Sequence, residues 1–326
     1  MHKVSFLASE RHFIDHLLPI WNDLPKHVKD KFYVHKDAEI YAQYMKLDYT
    51  LYDHAIHNDF MLRKNIYGVV ASWGDLRRLG KGNVQAIYLE HGAGQTYNAR
   101  HNSYAGGKNR NNVILFLCPN KFVEKRNKEY YPDKATKIIG CPKLDVLHNK
   151  TFKINKKEPI IGVSFHWDCK ICPETLSTYE YYKAAIIETD YNILGHSHPR
   201  LWEIAKKHYR QNNISRTQFF SEVLERCDVY CVDNSSSLFE FASLNKPVVV
   251  LNAPWYRREV EHGLRFWEFA DIGVNCDAPE DLNEAIKEAV KDTARQRKRR
   301  MKIIDEVYPV RGNATQKAVE AIMDVI

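Results

Sequence analysis

A histidine with glycines beside it follows a short apolar run in the first half of the chain. His91 comes two residues after Ala86–Leu89, and Gly92, Gly94 and Gln95 follow it. Glycine lets a substrate approach the backbone closely, and imidazole titrates near neutral pH. The pattern indicates a general base beside a substrate loop. The alternative is a glycine-rich turn with an incidental histidine.

A run of small polar residues follows another apolar run, Val229–Val232, and precedes a helical pattern. The run consists of Asn234, Ser235, Ser236 and Ser237. Backbone N–H groups and the helix dipole attract anions at such a helix start. Glu240 lies one turn after Ser236, where its carboxylate can accept hydrogen bonds from ribose hydroxyls. Simple N-capping by Asn234 or Ser235 is the alternative, but it accounts for one polar residue only.

Two further histidines follow predicted strands. His166 comes after Ile160–Ser164, where it either lines a pocket for a base or phosphate or caps the core. His198 lies close to Arg200, and this pair suits a phosphate. His196-x-His198 is also a metal pattern, but no further ligand follows closely, so no metal site is predicted.

Several well-known signatures are absent from the sequence. There is no GxGxxG after the first predicted strand, no GxxxxGK[ST], no HExxH and no GxSxG. Their absence disfavours a dehydrogenase, a P-loop kinase, a zinc protease and an α/β-hydrolase.

The apolar runs predict the elements that position these residues. The runs are short, continuous and rich in β-branched residues, as in parallel strands covered on both faces. Helical patterns alternate with them, which predicts an α/β fold. The predicted strands are Val4–Ala8, Phe32–His35, Gly68–Ser72, Ala86–Leu89, Val113–Cys118, Lys137–Ile139, Ile160–Ser164, Tyr191–Leu194, Val229–Val232, Pro247–Leu251 and Ile272–Val274.

A polar, basic segment over residues 149–159 separates two sets of strands. We therefore predict two Rossmann-like domains, residues 1–150 and 151–326. The predicted helices are Arg11–Asn22, with Pro19 as a possible kink, Glu174–Glu188, Thr217–Arg226, Ser236–Asn245, Glu280–Val290 and Asn313–Val325. In open α/β sheets, ligands bind beyond the carboxyl ends of the strands.

Composition is that of a soluble globular protein, with 44% hydrophobic and 27% charged residues. Seven scattered cysteines argue against a disulfide framework, and Cys169-x-x-Cys172 lacks a second pair. No signal-peptide layout or membrane-length apolar stretch occurs, so we expect a cytoplasmic protein. The net charge is +7, and Arg295–Lys302 is a basic run. This run is either a solvated helix face or a docking patch for an anionic membrane or polyanion.

Five segments together resemble the CDP-glycerol glycerophosphotransferases of teichoic-acid synthesis, in the order of that family's motifs. Residues 227–242, with Lys246-Pro247 after them, resemble the family's Asp-Tyr-Ser-Ser run and Lys-Pro strand. The other four segments are His91-Gly92, Gly140–Asp145, His198-Pro199 and Arg311–Ala314. The resemblance covers roughly residues 85–325.

The resemblance implies a GT-B transferase, with two Rossmann-like domains whose parallel sheets face each other across a cleft. The C-terminal domain would hold a CDP- or UDP-linked donor, with His198 at the diphosphate, Ser235, Ser236 and Ser237 at the phosphates and Glu240 at the ribose. Further predicted donor-site residues are Asn234, His166 and Lys143. The N-terminal domain would hold the acceptor, with His91 as the base. No cofactor or catalytic metal is implied. The last helix, 313–325, would pack back onto the N-terminal domain.

The sequence departs from the family in ways that leave the transferred group and the acceptor open. His-Gly-Ala-Gly replaces His-Gly-Thr, Asn234 stands where the family has Tyr, and Lys143 where Arg is usual. Phosphoalditol transfer and sugar transfer therefore both remain open. The same scaffold also fits a glycosyltransferase acting on modified DNA, a nucleotide-sugar epimerase or hydrolase, and a non-catalytic nucleotide-binding module.

Overall fold

The computed structural model describes residues 2–53, 66–79, 84–94, 104, 110–168, 177–233, 235–255 and 269–326. Gln95, Asn234 and the Cys169-x-x-Cys172 pair lie outside the described residues. Within the described part, the chain divides into two compact units. The first unit comprises parts of residues 1–94, 103–149 and 308–326, and the second comprises residues 150–307.

The first unit is built on a seven-stranded, wholly parallel sheet in the order β3-β2-β1-β4-β5-β6-β7. Its strands are β1 (Lys3–Ala8), β2 (Lys29–His35), β3 (Thr50–Tyr52), β4 (Ile66–Val70), β5 (Ala86–Leu89), β6 (Val113–Cys118) and β7 (Ala135–Ile138). Its helices are α1 (Arg11–Asp23), α2 (Glu39–Tyr44), α3 (Trp73–Leu79), α4 (Lys121–Tyr130), α5 (Asp145–His148) and α12 (Ala314–Met323). The strand order reverses beside β1, as in other doubly wound sheets.

The second unit has a six-stranded parallel sheet in the order β10-β9-β8-β11-β12-β13. Its strands are β8 (Ile160–Ser164), β9 (Asn192–Gly195), β10 (Ser215–Arg216), β11 (Val229–Val232), β12 (Val248–Leu251) and β13 (Val274–Cys276). Its helices are α6 (Thr178–Ile187), α7 (Trp202–Gln211), α8 (Phe220–Arg226), α9 (Ser237–Ala242), α10 (Leu282–Lys291) and α11 (Ala294–Val307).

The elements expected from the apolar pattern are present, with shifted ends. Every predicted strand overlaps an observed one, and β5, β6, β8 and β11 coincide with their predicted bounds. Helix α1 continues through Pro19 to Asp23, so the proline does not end it. The prediction missed β3 and β10, which have only three and two residues. It also did not include the helices α2, α3, α4, α5, α7 and α11.

Two of the family-like segments meet in the first unit. The Asp145 carboxylate accepts hydrogen bonds from the backbone N–H groups of Ala314 (3.0 Å) and Thr315 (2.7 Å), which open α12. Gly140 has φ +82°, and a Cβ there would lie 2.2 Å from the Val310 carbonyl oxygen. These segments therefore anchor the last helix beside α1.

The basic run Arg295–Lys302 is part of α11, and its members differ in role. Arg300 is buried and donates to the Asn245 carbonyl oxygen (2.8 Å) and to Asp292 (3.0 Å). Arg297 also pairs with Asp292. The exposed cations of the run are Arg295, Lys298, Arg299 and Lys302, of which Arg299 pairs with Asp271. The run is thus partly a structural anchor and partly a basic surface.

No helix among the described residues is both long and apolar enough to cross a membrane.

Candidate functional site

The carboxyl edge of the first sheet gathers the loop that contains His91. Because the strands are parallel, the residues after β1, β4, β5 and β6 all emerge at this edge. Ala71 follows β4, His91 follows β5 and Asn120 follows β6. The sheet therefore brings together residues that lie up to 50 positions apart in sequence.

His91 is partly buried and held in one tautomer. Its Nδ1 makes a short hydrogen bond with the Ala71 carbonyl oxygen, so Nδ1 carries the proton and Nε2 carries the lone pair. The pKa of His91 is lowered to about 4, mainly by burial. The hydrogen bond to the Ala71 carbonyl oxygen raises this pKa by a smaller amount, and the nearby Lys143 ammonium contributes to the lowering. At neutral pH, His91 is therefore a neutral imidazole whose Nε2 is unprotonated.

Helix α1 supplies side chains around His91 that sequence reasoning missed. The ring of Phe13 meets the His91 ring edge-on at 4.9 Å, and the rings of His12 and His16 lie at 5.8 and 6.1 Å. Burial lowers the pKa of His16 well below its usual value, and Lys143 adds to this effect. These residues are one helical turn apart, which is the only signal in the sequence that could have grouped them.

The predicted loop glycines adopt backbone conformations that favour glycine. Gly92 has φ +82° and Gly94 has φ +138°. The Asn120 side chain caps α4 through the Val123 N–H and donates to the Ala93 carbonyl oxygen at 2.7 Å. Asn120 thus holds the loop in place.

The two carboxylates Asp75 and Glu90 of the first unit are both buried. Asp75 is fully buried and accepts hydrogen bonds from the Ser9 N–H (3.2 Å) and from Arg78 (2.8 Å). Glu90 is only 3% exposed. Proton abstraction from a sugar carbon needs an accessible carboxylate or similar base, so this arrangement disfavours the epimerase alternative.

The carboxyl edge of the second sheet holds an aromatic and cationic cluster. The rings of His166 and His198 lie 5.3 Å apart, and the Arg200 guanidinium lies 4.5 Å from the centre of the Trp167 ring. His166 Nδ1 hydrogen-bonds to the Trp167 carbonyl oxygen at 2.9 Å, and His198 Nδ1 accepts the backbone N–H of Arg200 at 3.2 Å. The two predicted histidines are thus neighbours. Imidazole and guanidinium N–H groups at one sheet edge can bind phosphate oxygens.

The serine run lies on the neighbouring strand of the same edge. Ser235 Oγ and Ser237 Oγ are 2.9 Å apart, and Ser237 Oγ is 3.0 Å from the Tyr230 hydroxyl. The Ser237 N–H also donates to Ser235 Oγ. Ser236 occupies the N-cap of α9 without a side-chain capping bond. The hydroxyls therefore form a connected group rather than a single helix cap.

Glu240 and Lys143 lie in surroundings that the sequence did not indicate. Glu240 is 3% exposed. The pKa of the Tyr230 phenol is raised mainly by burial, and the charge of Glu240 adds to this rise. Lys143, grouped with the donor residues by sequence, belongs to the first unit and acts electrostatically on His91 and His16. Among the described residues, no cluster of histidine, cysteine and acidic side chains is suited to hold a metal ion.

One comparison with known proteins matches most of the second unit and the C-terminal end of the chain by sequence. Residues 170–324 match the model of the CDP-Glycerol:Poly(glycerophosphate) glycerophosphotransferase family. A comparison with the curated proteins gives no significant match.

Solved structures resemble the whole chain. MnaA of S. aureus with UDP superposes with a TM-score of 0.70 at 16% identity, covering 100% of this chain and 98% of that one. A variant of the wall teichoic acid polymerase TagF with CDPG gives 0.69 at 14% identity, with coverages of 99% and 88%. The UDP-GlcNAc 2-epimerase of Neisseria meningitidis bound to UDP-GlcNAc gives 0.62 at 15% identity, with coverages of 99% and 100%.

At these identities the structural likeness establishes the fold, and the family match distinguishes between the functions that share it. The predicted α/β fold with two parallel sheets is confirmed. The predicted resemblance to the CDP-glycerol glycerophosphotransferases is confirmed by the match to residues 170–324, and the chain is a GT-B-type transferase.

Proposed function

We propose that the protein transfers a glycerol-phosphate-like group from a CDP-linked donor to an acceptor hydroxyl. The observation that carries this proposal is the family match over residues 170–324, because that range includes both His198 and the Ser235–Glu240 segment. The fold places these two segments on one edge of one sheet.

On the donor side, the second unit would bind the nucleotide. The N–H groups of His166, His198 and Arg200 and the hydroxyls of the serine run, Ser235, Ser236 and Ser237, would hold the diphosphate. Asn234 would belong to the same loop. Glu240 would accept the ribose hydroxyls. Lys143 lies in the first unit, so we assign it to the surroundings of His91 rather than to the nucleotide.

On the acceptor side, the first unit would present His91. Its neutral imidazole, with the proton fixed on Nδ1 by Ala71, leaves Nε2 to take the acceptor proton. Gly92, Gly94 and Gln95 would form the acceptor-side loop. Since the pKa of His91 lies near 4, the residue stays unprotonated throughout the physiological range.

The proposed chemical step is a displacement at phosphorus. The acceptor oxygen attacks the β-phosphorus of the donor and loses its proton to His91 Nε2. The bond from the β-phosphorus to the bridging oxygen breaks, and CMP leaves with the electron pair. Cationic and hydroxyl donors on the second sheet would stabilise the charge on CMP. Transfer of a sugar from a UDP-linked donor is the alternative that the same fold can support.

We further propose that the exposed cations of α11 contact an anionic membrane surface. Arg295, Lys298 and Lys302 lie on one face of the helix and are exposed. Replacing all three by Gln should reduce sedimentation with phosphatidylglycerol vesicles; unchanged sedimentation would contradict this assignment. The control with equal charge change on α7 is Lys206→Gln, Lys207→Gln and Arg210→Gln.

The donor assignment is tested by nucleotide binding. Calorimetry with CDP, CMP, UDP, GDP and ADP should show selective binding of CDP. Glu240→Ala should weaken that binding by about tenfold, since a charge-assisted hydrogen bond contributes about 1.5 kcal/mol. Selective UDP binding would favour a sugar donor, and no binding of any nucleotide would remove the donor site.

A further inference from the structure

Asp233 lies at the point where two donor-side loops meet. It directly follows β11 and is fully buried. Its Oδ1 accepts the backbone N–H of His166 at 2.8 Å, and its own carbonyl oxygen accepts the Ser235 N–H at 2.8 Å. Because β8 and β11 are neighbouring strands, this carboxylate connects the loops that follow them.

The second oxygen of the Asp233 carboxylate, Oδ2, differs from Oδ1 in its hydrogen bonding. Oδ2 of Asp233 is buried and has no hydrogen-bond partner within the part of the chain that the structure describes. A buried carboxylate with one oxygen unpaired is costly in its ionised form. Burial accordingly raises the pKa of Asp233 to about 7, although the His166 N–H opposes the rise, and the Asp168 carboxylate adds to it.

The titratable groups around Asp233 come from three elements. Asp168, in the loop after β8, acts electrostatically on Asp233, and Asp233 in turn acts on Tyr230 of β11. Glu240 of α9 acts on the same Tyr230. The pKa of Tyr230 is raised, mainly by burial, so this phenol stays neutral. Asp168 is therefore the charge that acts most directly on the ionisation of Asp233.

We propose that Asp233 is a positioning residue that ties the loop of His166 and Trp167 to the loop of Ser235 and Ser237. The proposal rests on the proposed function, since the tie matters through the phosphate donors that these loops present. Without the Asp233 carboxylate, the loop after β8 loses a partly buried backbone hydrogen bond next to the cluster of His166, Trp167 and His198.

The tie depends on the charge of Asp233. A carboxylate accepts an N–H more strongly than the neutral acid does, so the tie strengthens as Asp233 ionises. The hydrogen bond from the His166 N–H should therefore be stronger above neutral pH than below it, in keeping with the lowering effect of this N–H on the pKa of Asp233. Replacement by Asn keeps an oxygen acceptor and removes the titration.

The same strand offers a matched control at its other end. Asp228 immediately precedes β11, and its carboxylate accepts the N–H groups of Asn155 (2.8 Å) and Ile160 (2.9 Å). Like Asp233, Asp228 therefore connects backbone segments of the second unit through hydrogen bonds to its carboxylate. Asp228 does so at the amino edge of the sheet, away from the donor-side loops. Loss of Asp228 should affect the fold without affecting the donor-side loops.

Hydrogen–deuterium exchange tests the tie directly and without any ligand. In Asp233→Ala, the amides of residues 165–168 should exchange about tenfold faster than in the wild type, as expected for one lost hydrogen bond. In Asp228→Ala, the faster exchange should appear around residues 155–160 instead. Unchanged exchange at residues 165–168 in Asp233→Ala would overturn the tie.

Binding of CDP between pH 5.5 and 8.5 tests its consequence. At pH 8, Asp233→Ala should bind CDP about tenfold more weakly than the wild type, and Asp233→Asn should fall between the two. The dissociation constant of Asp233→Asn divided by that of the wild type should rise about fivefold from pH 6 to pH 8, because only the wild type gains a charged carboxylate at this position. Effects of histidine titration are common to both proteins and cancel in this ratio.

Three results would contradict this role. They are wild-type affinity in Asp233→Ala, an equal loss in Asp228→Ala, and a ratio that does not change with pH. If Asp233→Ala does not fold, the role of Asp233 is tested with Asp233→Asn alone. The two measurements are then its hydrogen–deuterium exchange at residues 165–168 and the pH dependence of its CDP dissociation constant relative to that of the wild type. Absence of CDP binding by the wild type would contradict the proposed donor, whereas the exchange experiment would still test the tie.

Discussion

His91 illustrates how a single residue acquires its chemistry from its surroundings. The sequence indicates a histidine after a strand with glycines beside it, and that suffices to predict a candidate base. The Ala71 carbonyl that fixes its tautomer lies 20 positions earlier, on the loop after β4. The neighbours His12, Phe13 and His16 come from α1. These contacts depend on sheet order, which no local pattern specifies.

Replacing His91 tests its proposed role. His91→Gln should lower kcat by about 10²–10⁴-fold with little change in CDP affinity, because general base catalysis contributes in that range. Wild-type kcat should show no loss from protonation of His91 between pH 5.5 and 8, since the pKa of His91 lies near 4. Steady-state kinetics of both proteins gives the comparison; equal kcat values would exclude His91 as the base.

At the scale of elements, two of the family-like segments have a structural role in the first unit. Gly140–Asp145 and Arg311–Ala314 are far apart in sequence, but Asp145 accepts the first N–H groups of α12. The sequence marks these segments only as resemblances, and the structure gives them a stabilising role. Strands of four or more continuous apolar residues were predictable, whereas the short edge strands β3 and β10 were not.

Removal of the Asp145 carboxylate tests this role. Asp145→Ala should lower the free energy of unfolding by about 1–2 kcal/mol, because two N–H groups of α12 lose their partner. Asp133→Ala, at an exposed position of the same unit, serves as the control and should change it by less than about 0.5 kcal/mol. Chemical denaturation gives both values. Equal stability of the two variants would show that the cap contributes nothing.

At the scale of the whole molecule, burial shifts the pKa of titratable groups in both units. The pKa of three histidines in the first unit is lowered, and that of Asp233 in the second unit is raised. In the first unit, burial lowers the pKa of His91 and His148 to about 4 and that of His16 well below its usual value. In the second unit, burial raises the pKa of Asp233 to about 7. The folded histidines are neutral where the unfolded ones bind protons, so their contribution to stability falls as pH decreases.

The free energy of unfolding should therefore fall as the pH is lowered from about 6.5 to 4. Each of the three histidines contributes a slope of up to about 1.4 kcal/mol per pH unit. Over pH 4–7, Asp233 acts in the reverse sense, because the folded state keeps its proton longer than the unfolded state. Urea titrations at several pH values should show a smaller acid loss in His91→Gln. An identical pH profile in that variant would contradict the buried, neutral state of His91.

The whole-molecule prediction from sequence was strong for architecture and weaker for contacts. Continuous apolar runs and the polar segment at residues 149–159 suffice to predict two parallel α/β halves. The order of motifs suffices to suggest the family. The partners of Asp233, the placement of Lys143 near His91 and the buried anchor of Arg300 arise from residues distant in sequence, so they needed the structure.

The most direct test is to incubate the protein with CDP-glycerol and a glycerol-phosphate oligomer in the presence of EDTA, and to measure CMP release and acceptor length together. The proposed reaction predicts one CMP for each glycerol phosphate added to the acceptor, and loss of both signals in His91→Gln. Turnover of UDP-N-acetylglucosamine without acceptor, and no CMP from CDP-glycerol, would contradict the proposed transfer.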